Sequence, residues 1–468
     1  MNEKPVSLPN SSYAPIPEDA LRMPDHPERE QSAIGAFIQW EYEYFQRQIR
    51  DESKVKPVTL PPIPDTLVAW EAQKQEILAS AKKWLYGVMP PPPDKLEIKL
   101  LSERRDALNG TAIRREYRIY CIMNNGRKFD FDMMLYVPVN AKTPPPVFVI
   151  ENFYGNQAST PDLDVRPTRA FSRFPVNAKG SAATPIEQLR NYKTDRLNYM
   201  ECVRRGYAVA TACYHEIFPD NWDGARKSIF TLFYDDLRPD YEISVKEVQE
   251  GRHREYAAYS GWAWGYSRMA DALEKIPLVD ASRMACVGQS RLGSTSMWAG
   301  INDPRFKLVC VNNSGQGGAP LLRRTFGGRI SILSIGRCSF WATDRVIRFA
   351  DREEELPFDT HQLLGLIAPR ALYVTSSSLD LNADPRGTFL ATAHASKVWN
   401  LYGLKGLETF DMPEPDAPVG HLVRYHVKTG GHSITPYDWE KFYDFADELF
   451  GGRNDGKCRS RGIIRKIV

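Results

Sequence analysis

Met284-Ala285-Cys286-Val287-Gly288-Gln289-Ser290-Arg291-Leu292-Gly293 decides how the chain is read. Four apolar residues lead into a glycine, a serine follows two positions later, and a helix-compatible run continues from it. That is the strand–turn–helix context of a nucleophilic serine. Gly288 keeps a sharp turn uncrowded, and Gly293 lets the helix approach the sheet. The turn also places the serine hydroxyl at a helix N-terminus, where free N–H groups favour negative charge. The second glycine comes one residue later than in the usual Gly-x-Ser-x-Gly pattern. By itself the stretch fits a glycine-rich turn with a capping serine equally well.

Working outward, other short apolar runs lie at Val147–Ile150, Tyr207–Cys213, Lys307–Val311, Ala371–Thr375 and Leu422–Val427. Such runs suit parallel strands covered on both faces. Helical patterns over Ser260–Ile276, Ser294–Ile301 and Tyr437–Phe450 separate several of them. Upstream, Arg115–Met123 and Lys128–Val137 flank Asn124-Asn125-Gly126, a hairpin signal. A hairpin feeding a βαβ series predicts an α/β fold, a doubly wound, mostly parallel sheet of the α/β-hydrolase type, with its core starting near residue 112. Residues 314–370 form a long excursion between two strands and are expected to build a wall of the site. The expected division is an arm over 1–55, with an amphipathic helix over 31–54, a hydrolase domain over 56–452 and a basic tail over 453–468. A further helix is expected over 66–87.

A nucleophilic serine needs a base and an orienting acid, in the chain order Ser, acid, His for this fold. Of eight histidines, His432 stands just past the last long strand, in Thr429-Gly430-Gly431-His432. His426 lies inside that strand, and His361 and His394 adjoin apolar or helical runs, so ordinary packing roles are expected for these; His26 belongs to the arm. The acid should follow Ala371–Thr375. Asp380 opens that loop. Asp384 precedes Pro385, which favours an extended backbone and a turn-starting role. The expected constellation is Ser290, Asp380 and His432.

Composition is consistent with this reading. The chain has 468 residues, a formal net charge of +3 and no apolar run near the length of about 20 residues that spans a bilayer. Six Lys or Arg against one Asp sit in residues 453–468. A basic tail is a poor nucleic-acid footprint, which should lie on a folded face, and no membrane partner is expected either. Seven cysteines without a CxxC pair suggest buried thiols rather than disulfides or zinc; no metal and no organic cofactor is expected. The N-terminus lacks the apolar core of a secretory leader, so either the protein stays in the cytoplasm or its leader is missing from this sequence. The oligomeric state is left open.

Several segments, in order, resemble the glucuronoyl esterases, carbohydrate esterases that cleave the ester between glucuronic acid on xylan and lignin alcohols. They include Asn152-Phe153-Tyr154-Gly155-Asn156, Arg205–Thr211, Trp262-Ala263-Trp264-Gly265, the elbow, Asn313–Ala319 followed by Arg323-Arg324, Leu356–Asp359, Ala368-Pro369-Arg370 and Gly430-Gly431-His432. The resemblance spans roughly residues 60–450. It implies a serine esterase acting on carbohydrate esters, in a family usually secreted or periplasmic. It further implies that Arg291 helps bind the oxyanion through its side chain and N–H, with an ion pair as the alternative role. The family's lysine that contacts sugar hydroxyls is Ser294 here, and its tryptophan is Asn382. The usual glutamate falls on Gly327 or Gly328, whereas Asp380 matches an aspartate that some members place after the later strand. Gln289 and Gln316 stand where fungal members carry a cysteine pair. Ser294, Asn382 and Gln316 are therefore expected to face the substrate. An acetyl-sugar esterase or a non-catalytic carbohydrate-binding relative are the alternatives.

Overall fold

The computed structural model describes residues 48–170, 190, 194, 196–221, 223–238, 253–334 and 338–451. The basic tail, His26, Cys458 and most of the helix expected over 31–54 lie outside these residues. Where that expectation can be compared, it is not met: residues 48–51 are not helical, and Glu52–Lys54 make a single 3-10 turn. This stretch instead lies against loops of the main body. The Gly327 N–H donates to the Ile49 carbonyl at 2.8 Å, and Arg324 pairs with Glu52.

Among the described residues, ten strands form one sheet: β1 (Lys95–Asp106), β2 (Ala112–Ile122), β3 (Lys128–Pro138), β4 (Val147–Asn152), β5 (Ala208–Cys213), β6 (Met284–Gln289), β7 (Phe306–Asn312), β8 (Ala371–Ser377), β9 (Val419–Gly420) and β10 (Val423–Lys428). Their spatial order is β1-β2-β3-β5-β4-β6-β7-β8-β10-β9. The hairpin at Asn124-Asn125-Gly126 joins β2 and β3 as expected, and the six strands β5-β4-β6-β7-β8-β10 pair in parallel, each with the next. β1 is the strand that the sequence pattern hid. It is an antiparallel edge strand rich in charged residues and mostly exposed, so it carries no apolar run.

The principal helices are α1 (Leu67–Ala81), α2 (Ala258–Leu273), α3 (Arg291–Asn302), α4 (Pro385–Leu401) and α5 (Pro436–Phe450). They cover both faces of the sheet. On β4, Phe148 packs edge-on against Trp439 and Tyr443 of α5. Glu151, an odd number of positions away, abuts Gly265 of α2. Odd spacing on a strand means opposite faces. Continuous burial of β4, β5, β6 and β8 follows from this double cover.

The chain runs from β4 outward to β5, then returns to β6 on the other side of β4. Where strand order reverses, the crevice at the carboxyl ends of the strands is open to a ligand. Ser290 follows the end of β6 at that crevice. The six described cysteines are buried free thiols. No helix among the described residues is long and apolar enough to cross a membrane, and no cluster of His, Cys, Asp and Glu there is arranged to hold a metal ion.

Candidate active site

Ser290 occupies the single-residue turn between β6 and α3 with φ 60° and ψ −135°. A non-glycine residue held there stores about 1–3 kcal/mol of strain, which the surrounding packing must offset. Both glycines have the roles their positions imply. A Cβ on Gly288 would sit 1.8 Å from the Leu292 carbonyl oxygen, and one on Gly293 2.8 Å from that of Asn312. The Ser290 N–H donates to the Asn312 carbonyl at 2.9 Å, which ties the elbow to β7.

The loops after β8 and β10 bring the other two groups to this hydroxyl. His432 Nε2 lies 2.9 Å from Ser290 Oγ, and His432 Nδ1 lies 2.6 Å from Asp380 Oδ2. The imidazole is partly open to the cleft, whereas the Asp380 carboxylate is nearly buried behind it. The histidine loop is held from below. Leu379 N–H donates to the Gly430 carbonyl at 2.9 Å. Asn313 Nδ2 and Lys428 Nζ donate to the Ser433 carbonyl at 3.0 and 2.5 Å.

Asp384 is absent from this constellation. Its carboxylate pairs with Arg324 and accepts from the Gly387 N–H, capping α4. Its backbone is left-handed, φ 46°, rather than the extended form expected before Pro385. Both contacts hold it in that conformation.

Two basins meet at the serine. One, of about 380 Å³, is lined by Gln316, Ile332, Trp341, Asp380 and Asn382, among others. The other, of about 130 Å³, is lined by Phe153, Tyr154, Arg196, Tyr214 and Gln289. Ser290, Arg291 and His432 border both. Much of the larger wall comes from the 314–370 excursion, as expected.

The remaining site expectations divide. Gln316 and Asn382 line the larger basin, and Gln316 Nε2 donates to the Asn382 carbonyl at 2.7 Å. A Cβ at Gly328 would strike the Gln316 amide at 1.9 Å, so the glycine leaves room for that amide. Gln48 Nε2 donates to Asn382 Oδ1 at 2.8 Å. Ser294 is a correction. It is 0 % exposed and its hydroxyl donates to the Ser314 carbonyl at 3.2 Å, so it lies beneath the cleft floor rather than facing a ligand. A serine side chain is too short to reach the cleft from this buried position.

Arg291 borders the cleft, yet its guanidinium also makes the ion pair weighed as the alternative. The partner is not a surface carboxylate but Asp220, which is 0 % exposed. The guanidinium carbon sits 4.4 Å from the centre of the Trp341 ring. Asp220, Trp341, Tyr214 and Arg196 are site residues that the sequence reading missed. Asp220 stands seven residues beyond the end of β5, at the sheet's carboxyl edge, and that position was the available signal.

Similarity to known proteins points the same way. Residues 250–403 match the family model described as glucuronyl esterase, fungi. The chain is 33% identical over 422 residues to carbohydrate esterase MZ0003 from an unknown prokaryotic organism, covering 86% of this chain and 92% of that one. A solved glucuronoyl esterase from Solibacter usitatus superposes with a TM-score of 0.75 at 35% identity, over 85% of this chain and 99% of the other. A shorter match, 38% identical over 154 residues and 31% of each chain, is to 4-O-methyl-glucuronoyl methylesterase 1 of Sodiomyces alcalophilus.

Proposed function

Because this chain belongs to the glucuronoyl esterase family, as a divergent member, and is a carboxylic ester hydrolase acting on carbohydrate esters, we propose that Ser290, His432 and Asp380 carry out its uronate ester cleavage. The supporting observation is the hydrogen-bonded relay of 2.9 and 2.6 Å at the open end of β6.

The chemistry is two-step acyl transfer. His432 Nε2 takes the Ser290 proton as Oγ attacks the ester carbonyl. Asp380 fixes the imidazole tautomer and stabilises the imidazolium. The Arg291 N–H, at the start of α3, and its guanidinium face the negative charge that develops on the carbonyl oxygen. Donors placed where that charge forms lower the barrier by about 3–4 kcal/mol. His432 then protonates the departing alcohol. A water, deprotonated by His432, attacks the acyl-enzyme, and His432 returns that proton to Ser290 Oγ as the acid is released.

The larger basin takes the uronate. Gln316 Oε1 and Asn382 Nδ2 are the amide atoms left for its hydroxyls once Gln316 Nε2 and Asn382 Oδ1 are engaged within the protein. The smaller basin takes the alcohol. By its name the Sodiomyces relative removes a methyl group from a 4-O-methyl-glucuronoyl ester; the room beside Phe153 and Tyr154 suits a bulkier alcohol. A second reading, an acetylated sugar as substrate, is favoured only by the retreat of Ser294 and the replacement of an aromatic wall by Asn382, which remove sugar contacts. Benzyl glucuronate should therefore be hydrolysed faster than an acetylated sugar; the reverse order would select the second reading. Ser290→Ala should keep the parent's thermal unfolding and lose on the order of 10⁴–10⁶-fold in kcat. Retained turnover would refute the assignment, and saccharide binding without turnover by the parent would indicate a non-catalytic relative.

A further inference from the structure

Asp220 is a fully buried carboxylate whose chemistry the relay does not use. It is bound from three sides by groups that border the cleft. Tyr214 OH donates to Oδ2 at 2.7 Å, Trp341 Nε1 donates to Oδ1 at 2.7 Å, and Arg291 Nη1 pairs with Oδ2. Its own N–H donates to His215 Nδ1 at 3.0 Å, which fixes the backbone. Tyr214 and Asp220 follow β5, Arg291 opens α3, and Trp341 belongs to the 314–370 excursion. One carboxylate thus ties together three segments that are distant in sequence.

The charge matters as much as the tether. Ester hydrolysis presents this site with three species of different charge. The ester is neutral, the tetrahedral oxyanion is negative and short-lived, and the released acid is a lasting anion at neutral pH. A guanidinium without a counterion beside the serine would hold the product carboxylate as well as the oxyanion. A cation removed from water binds an anion strongly unless another charge already answers it. Asp220 answers it, while the guanidinium keeps its Nη2 hydrogens, which have no partner among the described residues.

We propose that Asp220 is a positioning residue that orients Arg291 and Trp341 and neutralises the Arg291 charge, so that the site does not retain the carboxylate it produces. This rests on the reading of Arg291 as an oxyanion donor. Neutral esters meet a site of balanced charge, and directed N–H groups, rather than net charge, meet the oxyanion.

The test uses hydrolysis of 4-nitrophenyl acetate by the full chain as a reporter, with free glucuronate and its uncharged primary amide as competing inhibitors. In the parent the two should inhibit within about threefold of each other. Asp220→Asn keeps the shape and the carbonyl acceptor but removes the charge. It should lower kcat and tighten inhibition by glucuronate relative to the amide by roughly tenfold or more. Trp341→Phe removes one tether and leaves the ion pair, so it should weaken both inhibitors without changing their ratio. A residue that only supports the fold would alter both inhibitors alike, so an unchanged ratio in Asp220→Asn overturns the proposal. If Asp220→Asn does not fold, the parent still decides, because a glucuronate preference far above threefold overturns it too. Failure of the functional reading looks different: the parent would leave benzyl glucuronate intact whatever the inhibitor ratio.

Discussion

Two histidines six residues apart, His426 on β10 and His432 on the loop that follows it, each pair with an aspartate, and only His432 adjoins a nucleophile. His426 sits in β10, with Nε2 3.0 Å from Asp438 and Nδ1 3.1 Å from Tyr373 OH. Both partners of that pair are 0 % exposed. Asp438 also accepts from Asn312, Thr435 and Lys428, and caps α5. Burial alone would raise the Asp438 carboxyl, but its hydrogen bond with His426 and the nearby Lys428 charge outweigh that and hold it below the usual carboxylate range. Burial pushes the His426 imidazole down. Both nitrogens of this ring are spoken for. His432 by contrast gives one nitrogen to Asp380 and turns the other to Ser290 at the edge of the cleft. A carboxylate beside an imidazole makes a relay only where the second nitrogen faces a reactive hydroxyl and substrate can enter. Elsewhere the same pair fastens a helix to a sheet.

The contrast is sharpest for the two acids. Asp380→Asn should leave the fold in place and lower kcat by about 10³–10⁴-fold, because the amide favours the wrong imidazole tautomer. Asp384→Asn should stay within tenfold of the parent, and a dead Asp384→Asn beside an active Asp380→Asn would reverse their roles. Next comes Asp438→Asn. Removing one charge from a buried, multiply bonded pair costs about 3 kcal/mol, to be read in urea unfolding, with kcat reduced far less than in Asp380→Asn. Equal losses of kcat in the two variants would erase the distinction drawn between the pairs.

The smallest effect belongs to a third histidine. His361 is buried with no carboxylate beside it, and its Nε2 faces the Pro61 carbonyl at 2.8 Å. Burial pushes its pKa down to about 4. The unfolded chain therefore binds the proton more readily than the fold does. Its contribution to stability is present above about pH 6.5 and drains away as pH falls toward about 4. Between pH 7 and pH 5 the parent should lose about 2 kcal/mol more stability than His361→Gln, measured by denaturant unfolding at each pH. Parallel losses would show that His361 is not the group responsible.

The parallel strands, the elbow and the order Ser290, Asp380, His432 were legible because each depends on local pattern and chain order. Apolar runs mark doubly covered strands, and strand ends mark the loops that reach the crevice. β1 was not legible, since an exposed charged edge strand carries no apolar run. Asp220 was legible only as a carboxylate just past the end of β5, not as a site residue. Its importance comes from Tyr214, Arg291 and Trp341 converging on it from three segments, and no spacing in one segment encodes that. Ser294 misled for a related reason. The family resemblance implies a substrate-contacting lysine at its position, but reach depends on side-chain length, and the shorter residue turns to the Ser314 carbonyl.

The proposed chemistry requires Ser290 to be the hydroxyl that His432 and Asp380 activate. Treating the protein with a fluorophosphonate and mapping the adduct by peptide mass spectrometry tests this most directly. One phosphonyl group should be found on the peptide carrying Ser290, and labelling should collapse in His432→Ala but persist in a folded Asp438→Asn protein. An adduct on another residue, or undiminished labelling of Ser290 without His432, would contradict the account.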